Sequence, residues 1–267
     1  MKAEIEHLHA FYDTRGGQLA RRLIAAQLRR LLGDMSGRTL VGIGYLGGFV
    51  NGFPEAERAI SLLPSGLAAP GFLAGRQLGR VYEDAVRQRL ALIPDDDLPI
   101  ADGVADRVVL IHALENSLHL KRLLREAWRI TADGGSVLAV VPNRRGFWCW
   151  SERTPFGQGR PYTMQQLKRT FAQHLFEPCG EARALFAPPS VARIWPSMAM
   201  RIERIVQQVA PELSGIVIVE ARKSVMAPTA IVPLSANKAR RRRYTAIPEI
   251  ALAARDRDES RSKHHRG

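Results

Sequence analysis

Two patterns of apolar positions alternate between Leu98 and Gly146. Asp106 to Ile111 (DRVVLI) is a continuous Val/Leu/Ile run, the signature of a strand covered by helices on both faces. Leu120, Leu123, Leu124, Ala127, Trp128 and Ile130 then recur at spacings of three and four. Lys121, Arg122, Arg125, Glu126 and Arg129 take the opposite face, which predicts an amphipathic helix lying on a sheet. Asp133-Gly134-Gly135 reads as the stop of that helix, since glycine supplies the left-handed cap at no steric cost, and Val137 to Val141 reads as the next buried strand. Pro142-Asn143 ends it. Strand, helix and strand joined by short turns form a right-handed crossover between parallel neighbours, so the pattern predicts a doubly wound α/β sheet.

Outside this unit the same reading predicts helices over Ile5 to Tyr12 and Gly17 to Leu32, and a short buried strand over Thr39 to Ile43. Glu57 to Leu63 is expected as a second strand, Arg89 to Ile93 as a third, and Val81 to Gln88 as a helix after an irregular Gly/Pro/Ala-rich stretch. Thr163 to His174 is a helix whose cap is Thr163, accepting from the amide of Gln165 or Gln166. Arg183 to Phe186 reads as an edge strand, Met198 to Val209 as a helix and Gly215 to Glu220 as a last buried strand. Apolar periodicity fades from Ser224 onward. The expected organisation is an N-terminal helical segment packed on the core (1–37), one α/β domain (38–223) and a basic, disordered tail (224–267).

Charge changes this picture only at the end of the chain. The net charge is +13, and residues 222–267 hold 12 Lys/Arg against 4 Asp/Glu. Most of the excess therefore belongs to this C-terminal stretch, which suits weak electrostatic contact with nucleic acid or anionic lipid better than it describes a substrate of the folded part. The arginine face of the second helix (Arg15, Arg21, Arg22, Arg29, Arg30) reads first as a solvated surface and second as a nucleic-acid patch. Two cysteines far apart, no transmembrane run and no leader-like start point to a cytoplasmic setting, and neither cysteine nor histidine spacing supports a metal site.

Candidate chemistry gathers where strands end. Gly44-Tyr45-Leu46-Gly47-Gly48 follows the first strand directly, the place where an open α/β sheet lets a nucleotide-like ligand approach the main chain. Asp95 and Asp96 close the third strand and read either as ligand-facing or as a solvated capping loop. His112, at the end of the fourth strand, is a candidate base or a structural histidine. Arg144 to Arg160 is a long aromatic and basic loop on the same edge. It reads either as a substrate wall or as a structural loop whose Phe147, Trp148 and Trp150 pack on the core.

These residues carry a resemblance over 38–221. Leu98-Pro99 with Asp102 and Asp106-Arg107-Val108, His112-Ala113-Leu114-Glu115, Arg125-Glu126 through Arg129-Ile130, and Gly134-Gly135 are similar to the second half of class I S-adenosylmethionine-dependent methyltransferases of the small-molecule type. FYDTRGGQLARRL, HALEN and PNRRGFW with RTPFGQGRPY resemble an uncharacterised bacterial subgroup of these proteins. The resemblance implies a mostly parallel, seven-stranded Rossmann-like sheet with an antiparallel last strand. It also implies S-adenosylmethionine as cofactor, held by Gly42, Gly44, Tyr45, Gly47, Gly48, Leu63, Asp95, Asp96, Leu98, Ile111 and His112. Asn143, Arg144, Arg145, Trp148, Arg160 and Tyr162 would form the wall facing the methyl acceptor.

The first motif departs from the family at the cofactor. Gly42 stands where the family has an acidic residue, Leu46 stands for its central glycine, and Leu63-Pro64 ends the second strand without the usual carboxylate. Two lost bonds to charged groups weaken binding by about 1.5–3 kcal/mol each, or roughly two to four powers of ten together, unless other groups replace them. The resemblance thus implies a methyltransferase with a weakly held cofactor, or a catalytically silent methyltransferase-like binding or regulatory protein.

Overall fold

The computed structural model describes residues 5–46, 49, 52–64, 67, 90–93 and 97–224. Gly47, Gly48, Asp95, Asp96, the expected helix over Val81 to Gln88 and nearly all of the basic tail lie outside the described residues.

Seven strands form one sheet: β1 (Thr39–Gly44), β2 (Arg58–Pro64), β3 (Leu90–Ile93), β4 (Ala105–Ile111), β5 (Thr131–Pro142), β6 (Phe176–Ala184) and β7 (Ile216–Lys223), in the spatial order β3-β2-β1-β4-β5-β7-β6. The first five are parallel, and β7 runs antiparallel to both of its neighbours, β5 and β6. The expected sheet, with its antiparallel last strand, is what forms. Strand order reverses between β1 and β4, which makes their carboxyl ends the switch point of the sheet. There Gly44 lies beside Ile111 in register.

Each face of the sheet has its own apolar layer. Helices α1 (Ile5–Asp13) and α2 (Arg15–Leu32) cover one face through Leu8, Tyr12, Ile24 and Leu28, packed with Leu40, Val109 and Ile218. Helices α3 (Leu120–Ile130) and α4 (Met164–Ala172) cover the other through Leu123, Leu124, Ala127, Leu167 and Phe171, packed with Val41, Val108 and Val219. Alternate residues of one strand therefore serve opposite layers, which is why these strands read as unbroken apolar runs. Thr14 caps α2 by accepting from the Gly17 amide at 3.0 Å. Thr163 and Gln166 cap α4 reciprocally, at 3.2 and 3.0 Å.

Two expectations shift. The helix α3 ends at Ile130 and the chain enters β5 at once, so Asp133-Gly134-Gly135 lies within the strand rather than before it. The register of β5 on β4 jumps there, from Ala105 opposite Thr131 to Arg107 opposite Ser136, and Gly134 takes φ 77° in the resulting bulge. The edge strand β6 starts at Phe176, well before Arg183. Pro178 and Gly180 interrupt the residue pattern of β6, and its register on β7 breaks between them, as an edge strand tolerates.

Candidate functional site

At the end of β1 the chain turns sharply over β4. Gly44 has φ 104°, and Tyr45 N–H donates to Ile111 O at 2.9 Å. A Cβ on Gly44 would collide with that same carbonyl and touch the Cβ of Ala113. The glycine is therefore required by strand packing. Two residues earlier, a Cβ on Gly42 would run into the side chain of Leu46, which folds back into that space and is itself buried. Tyr45 stacks on Tyr12 of α1, with ring centroids 5.1 Å apart and planes 7° from parallel, so α1 closes over the bend.

His112 follows β4 in a left-handed conformation, φ 56°, and is 1% exposed. Both ring nitrogens are engaged. Nδ1 lies 2.9 Å from Glu115 Oε1, and Nε2 lies 2.9 Å from the Tyr12 hydroxyl. With the Nδ1 proton turned to the carboxylate, Nε2 is left as the acceptor and Tyr12 donates to it. Burial first, then the nearby Tyr45 and Glu115, holds the Tyr12 hydroxyl well above its ordinary pKa, which keeps it protonated as a donor. The Asn116 side chain donates to His112 O at 2.9 Å. These three bonds offset a backbone strain of roughly 1–2 kcal/mol. The second oxygen of Glu115, Oε2, is buried and has no hydrogen-bond partner.

The loop after β5 closes on its own base. Tyr162 N–H donates to Pro142 O at 2.9 Å and Arg144 N–H to Tyr162 O at 3.0 Å, while Arg160 N–H donates to Glu115 O at 3.0 Å, tying the loop to the end of β4. Its inner side is aromatic core. Trp148 meets Phe11 and Phe156 edge to face and donates from Nε1 to Ala187 O at 2.7 Å. Its outer side bears two clefts on either flank of α4. One, of about 340 Å³, is lined by Arg144, Arg160, Tyr162, Gln166, Arg169 and Thr170. The other, of about 480 Å³, contains Asn143, Arg145, Lys168, Glu181, Arg183 and Glu212, whose charges pair among themselves. Burial, then Glu115, pushes the Tyr162 hydroxyl upward, so it too remains a donor.

The residues singled out from the sequence thus fall into several groups. Gly42, Gly44, Tyr45, Ile111 and His112 come together at the switch point, and Leu63 is buried in the same apolar layer. Leu98 is not with them. Its N–H donates to Glu126 at 3.1 Å and its carbonyl accepts from Arg129 at 2.9 Å, both in the C-terminal half of α3, which leads into the start of β5. Trp148 packs in the core, and Asn143 is a buried lock whose amide donates to Glu212 O, Ser214 O and Ser214 Oγ. Arg144, Arg160 and Tyr162 share one cleft, and Arg145 faces the other. Tyr12, Glu115 and Arg169 are not among the site residues that the sequence suggests. Glu115 stands three residues from His112, a spacing that could have flagged it; Tyr12 and Arg169 look like ordinary helix positions. Among the described residues no cluster of His, Cys, Asp or Glu could hold a metal ion.

Residues 76–139 match the family model of a methyltransferase domain. No curated protein matches the chain by sequence. A SAM-dependent methyltransferase from Thermotoga maritima superposes with a TM-score of 0.54 at 17% identity, covering 82% of this chain and 96% of that one. Geranyl diphosphate C-methyltransferase from Streptomyces coelicolor A3(2), solved with Mg²⁺, geranyl diphosphate and S-adenosyl-L-homocysteine, superposes with a TM-score of 0.51 at 19% identity, covering 76% and 80%. At these identities the likeness is one of fold.

Proposed function

We propose that this chain, whose fold is that of the S-adenosylmethionine-dependent methyltransferases, transfers a methyl group from that cofactor to an acceptor bound beside the loop after β5. The observation that carries the reading is the sheet order with β7 antiparallel between β5 and β6, in a chain whose residues 76–139 match a methyltransferase domain.

The described residues suit the cofactor in a particular way. Its amino and sulfonium groups are both positive, and Glu115 Oε2 is a buried carboxylate oxygen without a partner at the end of β4. Leu46 has taken the volume of an acidic side chain at Gly42, so anchoring falls to Glu115 and to the main chain of the bend at Gly44 and Tyr45. When bound, the cofactor supplies an electrophilic methyl group on sulfur. The protein's part is to align donor and acceptor and to exclude water. Tyr12, Tyr45 and Phe156 provide a dry apolar cover on the α1 side. His112 orients Glu115 and Tyr12; with both nitrogens engaged, it is not the group that removes a proton from the acceptor. Arg144, Arg160 and Tyr162 form the acceptor wall. The setting is cytoplasmic, which suits the unpaired Cys149 and Cys179. The basic tail acts as a salt-sensitive tether to nucleic acid or anionic lipid.

Calorimetric titration with S-adenosylmethionine and S-adenosylhomocysteine tests this reading. Both should bind, and Glu115→Gln should weaken both by at least tenfold. Absence of binding by either compound to the folded wild-type protein would leave a methyltransferase-like binding module instead.

A further inference from the structure

Six of the ten large apolar side chains exposed among the described residues lie between Ile194 and Val209. Ile194 ends the helix α5 (Pro189–Ile194), Trp195 joins it to the helix α6 (Pro196–Val209), and the other four lie on α6. On α6, Met198, Ile205 and Val209 are separated by seven and four residues, which at 3.6 residues per turn places them within an arc of about 40°. They are 49%, 61% and 79% exposed. Ile194 and Trp195, 53% and 59% exposed, lie at the junction of the two helices.

This stripe is the outer face of a helix whose inner face is fixed. Ala199 is buried, and the buried Glu203 carboxylate accepts from the main-chain N–H of Leu185 at 2.7 Å, Phe186 at 2.6 Å and Ala187 at 3.1 Å. The helix cannot roll to hide its apolar stripe without breaking those bonds. The charges of the segment are equally one-sided. Arg193, Arg201 and Arg204 are exposed, and Glu203, the acidic residue of this segment, is turned inward.

From these observations we infer that α5 and α6 rest on the surface of an anionic lipid bilayer. Apolar side chains would enter the acyl boundary, Trp195 would sit at headgroup depth, and the arginines would meet lipid phosphates. A second copy of this chain is a poorer occupant, because a two-fold contact would set like-charged arginine rims against each other. No helix among the described residues is long and apolar enough to cross a membrane, so the contact is a surface one. The inference stands apart from the methyl-transfer reading, since none of these side chains lines the site described above.

Co-sedimentation of the full-length protein with vesicles tests it at physiological salt. Binding is expected to vesicles of phosphatidylcholine with 30% phosphatidylglycerol and not to phosphatidylcholine alone. The double variant Ile205→Ser/Val209→Ser leaves the charge unchanged and should weaken binding at least tenfold at an unaltered melting temperature. The control Val104→Ser/Leu118→Ser, which removes exposed apolar groups elsewhere, should bind as wild type does. Equal vesicle binding by both variants would overturn the inference by assigning any lipid affinity to the basic tail alone. Loss of a wild-type dimer in Ile205→Ser/Val209→Ser, with vesicle binding unchanged, would overturn it in favour of a protein interface.

Discussion

Leu46 lays its side chain in the space that a side chain on Gly42 would need. The two residues are complementary: absence of a Cβ at one admits the isobutyl group of the other, and the pair fills the end of β1 with carbon.

Placing an acid at position 42 therefore requires both positions to change. Gly42→Asp alone should overpack the bend and lower stability by about 1–3 kcal/mol without improving cofactor binding. Gly42→Asp/Leu46→Gly should bind S-adenosylmethionine about tenfold more tightly than wild type, as a bond to a charged group predicts, at a lower melting temperature. Calorimetry and thermal unfolding of the three proteins separate these effects.

Tyr12→Phe keeps the ring stack on Tyr45 and removes the donor to His112 Nε2, leaving a buried nitrogen without a partner. The expected loss is about 1–3 kcal/mol in urea unfolding. His112 should then show a changed tautomer or protonation by nitrogen-15 NMR, a readout that a simple packing defect would not move.

Glu203 gives a pH signature. Burial, the larger influence, holds its carboxyl above the ordinary value, while the three main-chain donors pull the other way. A raised carboxyl pKa means that the folded state takes up the proton before the unfolded chain does. The group's contribution to stability is therefore largest below its unfolded pKa and falls as pH rises through the folded one. Glu203→Gln lacks this titration and leaves some of the three N–H groups unpaired, at about 1–3 kcal/mol each. The stability of wild type relative to Glu203→Gln should increase as pH is lowered through that window, measured by chemical denaturation across the pH range.

Two substitutions in the site region should act on folding rather than on ligand binding. Gly44→Ala drives a methyl group into Ile111 O from a backbone at φ 104°, so its effect should appear as lost stability. Trp148→Ala removes an aromatic centre packed by Phe11 and Phe156, for a loss of about 3–5 kcal/mol. If either variant keeps the wild-type melting temperature yet loses cofactor affinity, the residue belongs to the binding surface after all.

The apolar runs of β1, β4, β5 and β7 were legible in the sequence because each strand is buried on both faces, so the pattern needs no partner to be read. α3 was legible because Leu123, Leu124, Ala127 and Ile130 bury one side while the arginines stay wet. β6 begins earlier than its apolar pattern suggests because a half-exposed edge strand, with Pro178 and Gly180 inside it, has no such unbroken run. The position of Leu98 is fixed by long-range bonds to the Glu126 and Arg129 side chains, of which local order carries no trace. The pairing of Tyr12 with His112 joins residues 100 positions apart, through a helix whose spacing announces only that Tyr12 is buried.

The placement of β7 also governs how the molecule is made. Among the described strands β6 pairs with β7 alone, and β7 is the later of the two to be synthesised. Until Ile216–Lys223 slides between them, the growing chain carries two unpaired edges, the outer side of β5 and the whole of β6. Each is a template for pairing with a neighbouring nascent chain. Gly215 is bonded from both sides, with its N–H donating to Leu185 O and its carbonyl accepting from Asn143, so the hairpin-like entry into β7 is set by the two elements it has to join. A chain interrupted before this point holds a five-stranded sheet and a sixth strand with nothing to pair with, and arrival of the last strand joins the two into one seven-stranded sheet.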